Sequence, residues 1–242
     1  MFSKILTALI TPFRNGDIDY AALTNLIERQ ITAGVKTIIP AGTTAEAPTL
    51  ETEEHIALVK HCIDVADKRL NIIPGIGSNN TKYAISLAQE MEKLGADAVM
   101  CVTPYYNKPS QQGLYQHFAT IHNNCNLPIM LYTAPERTGV ELENETIFKL
   151  ANLTRIAALK DATGELAKPQ AIKRKLGERL ALLCGDDNIA YEFNQAGGVG
   201  CVSVASNIIP ELCQQLQNHW HNNAIESALK LHNKLQNLYE AT

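Results

Sequence analysis

Short apolar runs alternate with amphipathic stretches along the whole chain, and eight rounds of that alternation are visible. The strand-like runs cover residues 5–11, 37–41, 71–75, 97–103, 128–133, 155–160, 180–184 and 200–204. They are rich in Ile, Val, Leu and Ala, and they are mostly continuous instead of alternating with polar residues. Continuous apolar strands indicate a parallel sheet covered on both faces.

Between the runs lie helical periods. Leu23, Leu26, Ile27 and Ile31 share one face after Asp19, a candidate cap. Ile56, Val59, Ile63 and Ala66 repeat the pattern after Thr52, and Ala84, Leu87, Ala88, Met91 and Leu94 repeat it after Thr81. Gly34, Gly95, Gly177 and Gly197 stand where helices end. Eight such units without a linker predict a (β/α)8 barrel of the α/β class. A doubly wound open sheet is the competing architecture, but no G-x-G-x-x-G follows the first strand. The eighth helix is expected from about residue 210 to 220. A further one follows from 224 to 239, with Ile225, Ala228, Leu229, Leu235 and Leu238 on its apolar stripe.

The length, 242 residues, suits one such barrel, and 45% apolar against 19% charged residues supplies a real core. A net charge of −4 argues against a nucleic-acid scaffold or a basic membrane-surface protein. No apolar run reaches a membrane-spanning length, and the greasy 2–10 stretch reads as a strand, with no cleavage site of a signal peptide. Cys62, Cys101, Cys125, Cys184, Cys201 and Cys213 form no C-x-x-C pair. They read as buried free thiols of a reducing, cytoplasmic compartment, not as a disulfide or zinc framework. The histidines show no metal-binding spacing.

In a barrel, reacting groups belong at the C-terminal strand ends. Those positions hold Thr43 and Thr44 after strand 2, Tyr105 and Tyr106 after strand 4, and Tyr132 at the end of strand 5. Strand 6 ends in Lys160, strand 7 in Gly185-Asp186-Asp187 and strand 8 in Ser203. An amine leaving an apolar strand is a nucleophile toward carbonyls when desolvation keeps it neutral. The plainer reading of Lys160 is a structural lysine paired with a carboxylate, although strand alternation puts Asp161 on the opposite side. Tyr132 suits a proton shuttle, and equally a rim aromatic bonded to a loop. Thr43 and Thr44 offer hydroxyls and N–H groups to a small carboxylate, or form an ordinary turn. Arg137 suits a bidentate carboxylate clamp, or is simply solvated.

Six segments then match a known family in order and spacing. They are Thr7-Ala8-Leu9-Ile10-Thr11-Pro12-Phe13, Ala41-Gly42-Thr43-Thr44-Ala45-Glu46 and Thr103-Pro104-Tyr105-Tyr106-Asn107-Lys108-Pro109. The others are Leu131-Tyr132-Thr133-Ala134-Pro135-Glu136-Arg137-Thr138-Gly139, Leu159-Lys160-Asp161-Ala162-Thr163-Gly164 and Gly185-Asp186-Asp187. Over essentially its whole length the chain resembles the dihydrodipicolinate synthases, within the superfamily of N-acetylneuraminate lyase and other pyruvate-dependent aldolases.

That resemblance implies a Schiff-base lyase that condenses pyruvate with L-aspartate 4-semialdehyde in lysine and diaminopimelate biosynthesis. Lys160 takes the role of imine-forming lysine, Tyr132 of proton shuttle and Thr43 of relay hydroxyl. Tyr106 completes the relay from a neighbouring subunit, which implies a homodimer or homotetramer. Thr44 joins the pyruvate cradle, Arg137 clamps the second substrate, and Gly185 and Val202 contribute carbonyls near the lysine. No metal and no organic cofactor is implied, because the protonated imine is the electron sink. A lyase acting on a keto-deoxy sugar acid or sialate is the enzymatic alternative. An inactive truncated paralogue is the non-enzymatic one.

The sequence departs from the family pattern in places. Ala45 replaces a usual glycine, Thr133-Ala134 a usual Asn-Val, and Tyr83 a carboxylate of the lysine feedback site. At that site Ala47 and Thr52 also differ, while His55, Asn79 and Tyr105 match. The resemblance therefore implies weak or absent inhibition by lysine. It also divides the chain into a catalytic barrel, 1–223, and a remnant of a longer C-terminal helical region, 224–242.

Overall fold

Eight parallel strands curl into a barrel in the computed structural model, which describes residues 1–241. They are β1 (Lys4–Ala8), β2 (Thr37–Ile39), β3 (Asn71–Ile72), β4 (Val99–Val102), β5 (Ile129–Thr133), β6 (Ile156–Asp161), β7 (Ala181–Cys184) and β8 (Gly200–Ser203). Each lies inside, or within one residue of, the run that predicts it. β1 pairs with both β2 and β8, and the ladder continues through β7, β6 and β5 to β4. The seam between β3 and β4 closes through Asp97 N–H to Ile72 O at 3.0 Å, Met100 N–H to Pro74 O at 2.9 Å and Ile76 N–H to Met100 O at 2.8 Å. A closed parallel barrel, not an open sheet, is the outcome.

Leu6, Ile39, Met100, Met130, Ala158, Leu183 and Val202 from seven strands, with Ile73 just past β3, fill the interior, all buried. Their neighbours along the strands face the helices, as period-two geometry requires. Both faces are therefore apolar, which explains the continuous hydrophobic runs.

The helices are α1 (Tyr20–Thr32), α2 (Thr52–Ala66), α3 (Thr81–Leu94), α4 (Gln111–Asn124), α5 (Pro135–Thr138), α6 (Asn144–Leu150), α7 (Ala167–Leu176), α8 (Ala190–Gln195), α9 (Pro210–His221) and α10 (Ile225–Tyr239). Asp19 caps α1 as expected, accepting from Ala22 N–H. The caps of α2 and α3 fall one residue before the threonines: Glu51 forms a capping box with Glu54, and Asn80 accepts from Lys82 and Tyr83 N–H. No helix among the described residues is long and apolar enough to cross a membrane. All six cysteines are free and buried.

The last helix corrects the expected stripe. Its buried face is Ala228, His232, Leu235 and Tyr239, while Leu229 is 38% exposed. Helical spacing puts those four in line, and His232 is tolerated there because Glu192 Oε2 (3.4 Å) and Gln236 Nε2 (2.7 Å) flank it.

Candidate active site

The C-terminal ends of β2, β4, β5 and β6 bring Thr43, Tyr105, Tyr106, Tyr132, Arg137 and Lys160 to one mouth. Tyr132 stands opposite Lys160 in the β5–β6 ladder. Parallel strands in register put both side chains on the same face, and here that face is the barrel interior. Lys160 is 5% exposed, and its Nζ lies over the face of the Tyr132 ring, 4.2 Å from the centroid. Asp161 points the other way. Its Oδ1 accepts from Thr163 N–H and Oγ1–H at 3.0 and 2.8 Å, so it is not the partner of Lys160.

Above Tyr132 opens a cavity of about 700 Å³. Thr43, Tyr105, Tyr106, Tyr132 and Arg137 line it, together with His55, Tyr83 and an apolar wall that includes Leu87, Met100 and Val102. Among the described residues, none of the lining side chains is acidic, and Arg137 is the charged one. His55 is pushed below the ordinary histidine value by burial, which keeps it neutral. A cavity with one guanidinium and no carboxylate favours small anions.

Lys160 forms no part of that wall; it lies beside the Tyr132 ring that does. Thr44, Gly185 and Val202 are likewise outside the lining. Thr44 is half-buried, next to the exposed Thr43 in the turn after β2. Val202 is packed in the barrel interior. Gly185 donates its N–H to Asp161 O at 2.7 Å and lies so close to Ala162 that a Cβ would meet that side chain at 2.6 Å. Only glycine fits there. Ala45, by contrast, is unstrained: the left-handed residues of this turn are Ala41 and Glu46.

Tyr106 has an unusual conformation. It is 88% exposed and holds φ +72°, which a bulky residue rarely adopts. Its ring therefore projects from the mouth with few contacts of its own.

Asp186 and Asp187 carry roles that residue type alone did not reveal. Burial pushes the Asp186 carboxyl above the usual carboxylate range, and the positive charge of Lys160 pulls it back. Asp187 Oδ2 accepts from Val204 and Ala205 N–H at 2.8 and 3.0 Å, tying the loop after β7 to that after β8. The Gly-Asp-Asp run after a strand was the available signal.

Comparison with known proteins identifies the family and the fold. Residues 1–242 match the model of the Dihydrodipicolinate synthetase family. The 4-hydroxy-tetrahydrodipicolinate synthase of Rickettsia bellii (strain OSU 85-389) is 49% identical over 241 residues, covering 100% of this chain and 82% of the relative. The dihydrodipicolinate synthase of Acinetobacter baumannii, solved in complex with pyruvate, superposes with a TM-score of 0.97 at 40% identity, covering 99% of this chain and 83% of that one. The enzyme of Cyanidioschyzon merolae, solved with lysine bound, gives 0.96 at 38% identity, again over 99% and 83%.

Proposed function

Because this chain belongs to the dihydrodipicolinate synthetase family, we propose that Lys160 is the nucleophile of its reaction. The activity is that of a lyase: condensation of pyruvate with L-aspartate 4-semialdehyde to 4-hydroxy-tetrahydrodipicolinate, in lysine and diaminopimelate biosynthesis. Lys160 Nζ adds to the pyruvate ketone, and loss of water gives an imine. Thr43 and Thr44 hold the pyruvate carboxylate. The Tyr132 phenol, relayed through Thr43 and through Tyr106 of a second copy, moves the protons that convert imine to enamine. The enamine carbon attacks the aldehyde while Arg137 holds the carboxylate of that substrate. The substrate's amino group then displaces Lys160, closing the ring and freeing the amine. Gly185 and Val202 are assigned the backbone carbonyls near the lysine.

The observation that carries the reading is the buried Lys160 amine against the Tyr132 ring, next to a cavity whose charge is Arg137. The projecting, strained Tyr106 supports an assembly of at least two copies, since its ring has too few contacts in one chain to explain its conformation. Turnover assays separate the substrates. Consumption of the semialdehyde with pyruvate is expected, with no pyruvate release from keto-deoxy sugar acids. The reverse result overturns this assignment.

A further inference from the structure

The loop that carries Tyr105 and Tyr106 and the turn that carries Arg137 are separate in sequence but bonded to each other. Thr103 Oγ1 donates to Thr138 Oγ1 at 3.2 Å, one residue past the arginine. The Lys108 stem lies on Gly139, where an added Cβ would meet its Cε at 2.7 Å. The strongest tie is Gln111, the first residue of α4. Its Nε2 donates to Glu141 O at 2.8 Å, and its Oε1 accepts from Glu143 N–H at 3.2 Å and from Thr146 Oγ1–H at 2.7 Å. Lys168 holds the same segment from the far side, donating to Glu141 Oε1 at 2.5 Å and Leu142 O at 2.7 Å.

Arg137 needs such support. Its helix, α5, has four residues, too few to hold its own shape in water. The direction of the guanidinium is therefore set by what the flanking chain is fastened to. We propose that Gln111 is a positioning residue for the second substrate: it fixes the segment leaving Arg137 against the Tyr105–Tyr106 loop, so that the clamp faces the cavity. This rests on the assignment of Arg137 given above.

The test compares two variants with the wild-type enzyme. Gln111→Met keeps the length and removes all three bonds; Gln111→Glu keeps both accepted ones. In Gln111→Met the KM for aspartate semialdehyde is expected to rise about tenfold, with the KM for pyruvate and the rate of borohydride trapping with pyruvate changed less than about twofold. Gln111→Glu is expected to lie closer to wild type. A Gln111→Met enzyme with an unchanged semialdehyde KM overturns the proposal. So does one that loses pyruvate binding and trapping equally, or a Gln111→Glu enzyme no better than it. Wild-type enzyme that is not trapped by pyruvate and borohydride would instead sink the Schiff-base reading beneath it.

Discussion

Lys160 and Tyr132 face each other across neighbouring strands, with the amine over the ring and 4.2 Å from its centroid. This divides the work of Tyr132 into two parts, a ring that packs against the amine and a hydroxyl that moves protons. Tyr132→Phe keeps the first and removes the second. Its kcat is expected to fall about a hundredfold or more, as for loss of a general acid–base group, with little change in thermal midpoint. A variant within about threefold of wild type would show that the phenol is no shuttle.

Acid stability has an identifiable contributor away from the mouth. His117 is buried between Thr81 Oγ1, 2.8 Å from Nδ1, and Cys101 Sγ, 3.8 Å from Nε2. Burial pushes its imidazole from the ordinary 6.5 down to about 4. The unfolded chain therefore takes up a proton that the folded chain refuses. The stability this histidine contributes is complete above pH 6.5 and is lost as pH falls toward 4, by up to about 3 kcal/mol. Asp161 and Asp186, both raised by burial, act in the opposite sense and gain as pH falls. Urea unfolding of wild type and His117→Gln at about pH 7.5 and about pH 5 isolates the effect. The wild type is expected to lose more stability than the variant; equal losses would contradict this.

Feedback by lysine is expected to be weak. Tyr83 lines the cavity together with His55, and its hydroxyl lies 3.0 Å from Thr52 Oγ1. With neutral His55 and no acidic lining side chain among the described residues, nothing there pairs with an effector's ammonium. Half-inhibition is expected only above about 1 mM lysine. Initial rates at saturating pyruvate across a lysine series measure it, and sub-millimolar inhibition would contradict it.

The barrel was legible because its signal is local. Each strand is a short apolar run, and the alternation from Leu159 through Lys160 to Asp161 sorted the two charged groups onto opposite sides before any contact was known. The mouth was partly legible, since strand ends hold the reacting groups in this architecture. What escaped depends on contacts between distant residues. The bonds of Gln111 reach across about thirty positions, and no periodicity announces them. His232 and Tyr239 entered the buried face of α10 because neighbours on α8 and α10 receive them, and polarity alone argued for the surface. The pull of Lys160 on the Asp186 carboxyl likewise depends on β6 and β7 being neighbours, which the Gly-Asp-Asp run alone does not announce.

The most direct measurement is covalent capture. The enzyme is incubated with pyruvate, reduced with borohydride, digested and examined by mass spectrometry. The peptide containing Lys160 is expected to gain the mass of pyruvate less one water plus two hydrogens, and Lys160→Met to gain nothing. An adduct on another lysine, or none on the active wild-type enzyme, would contradict the assignment.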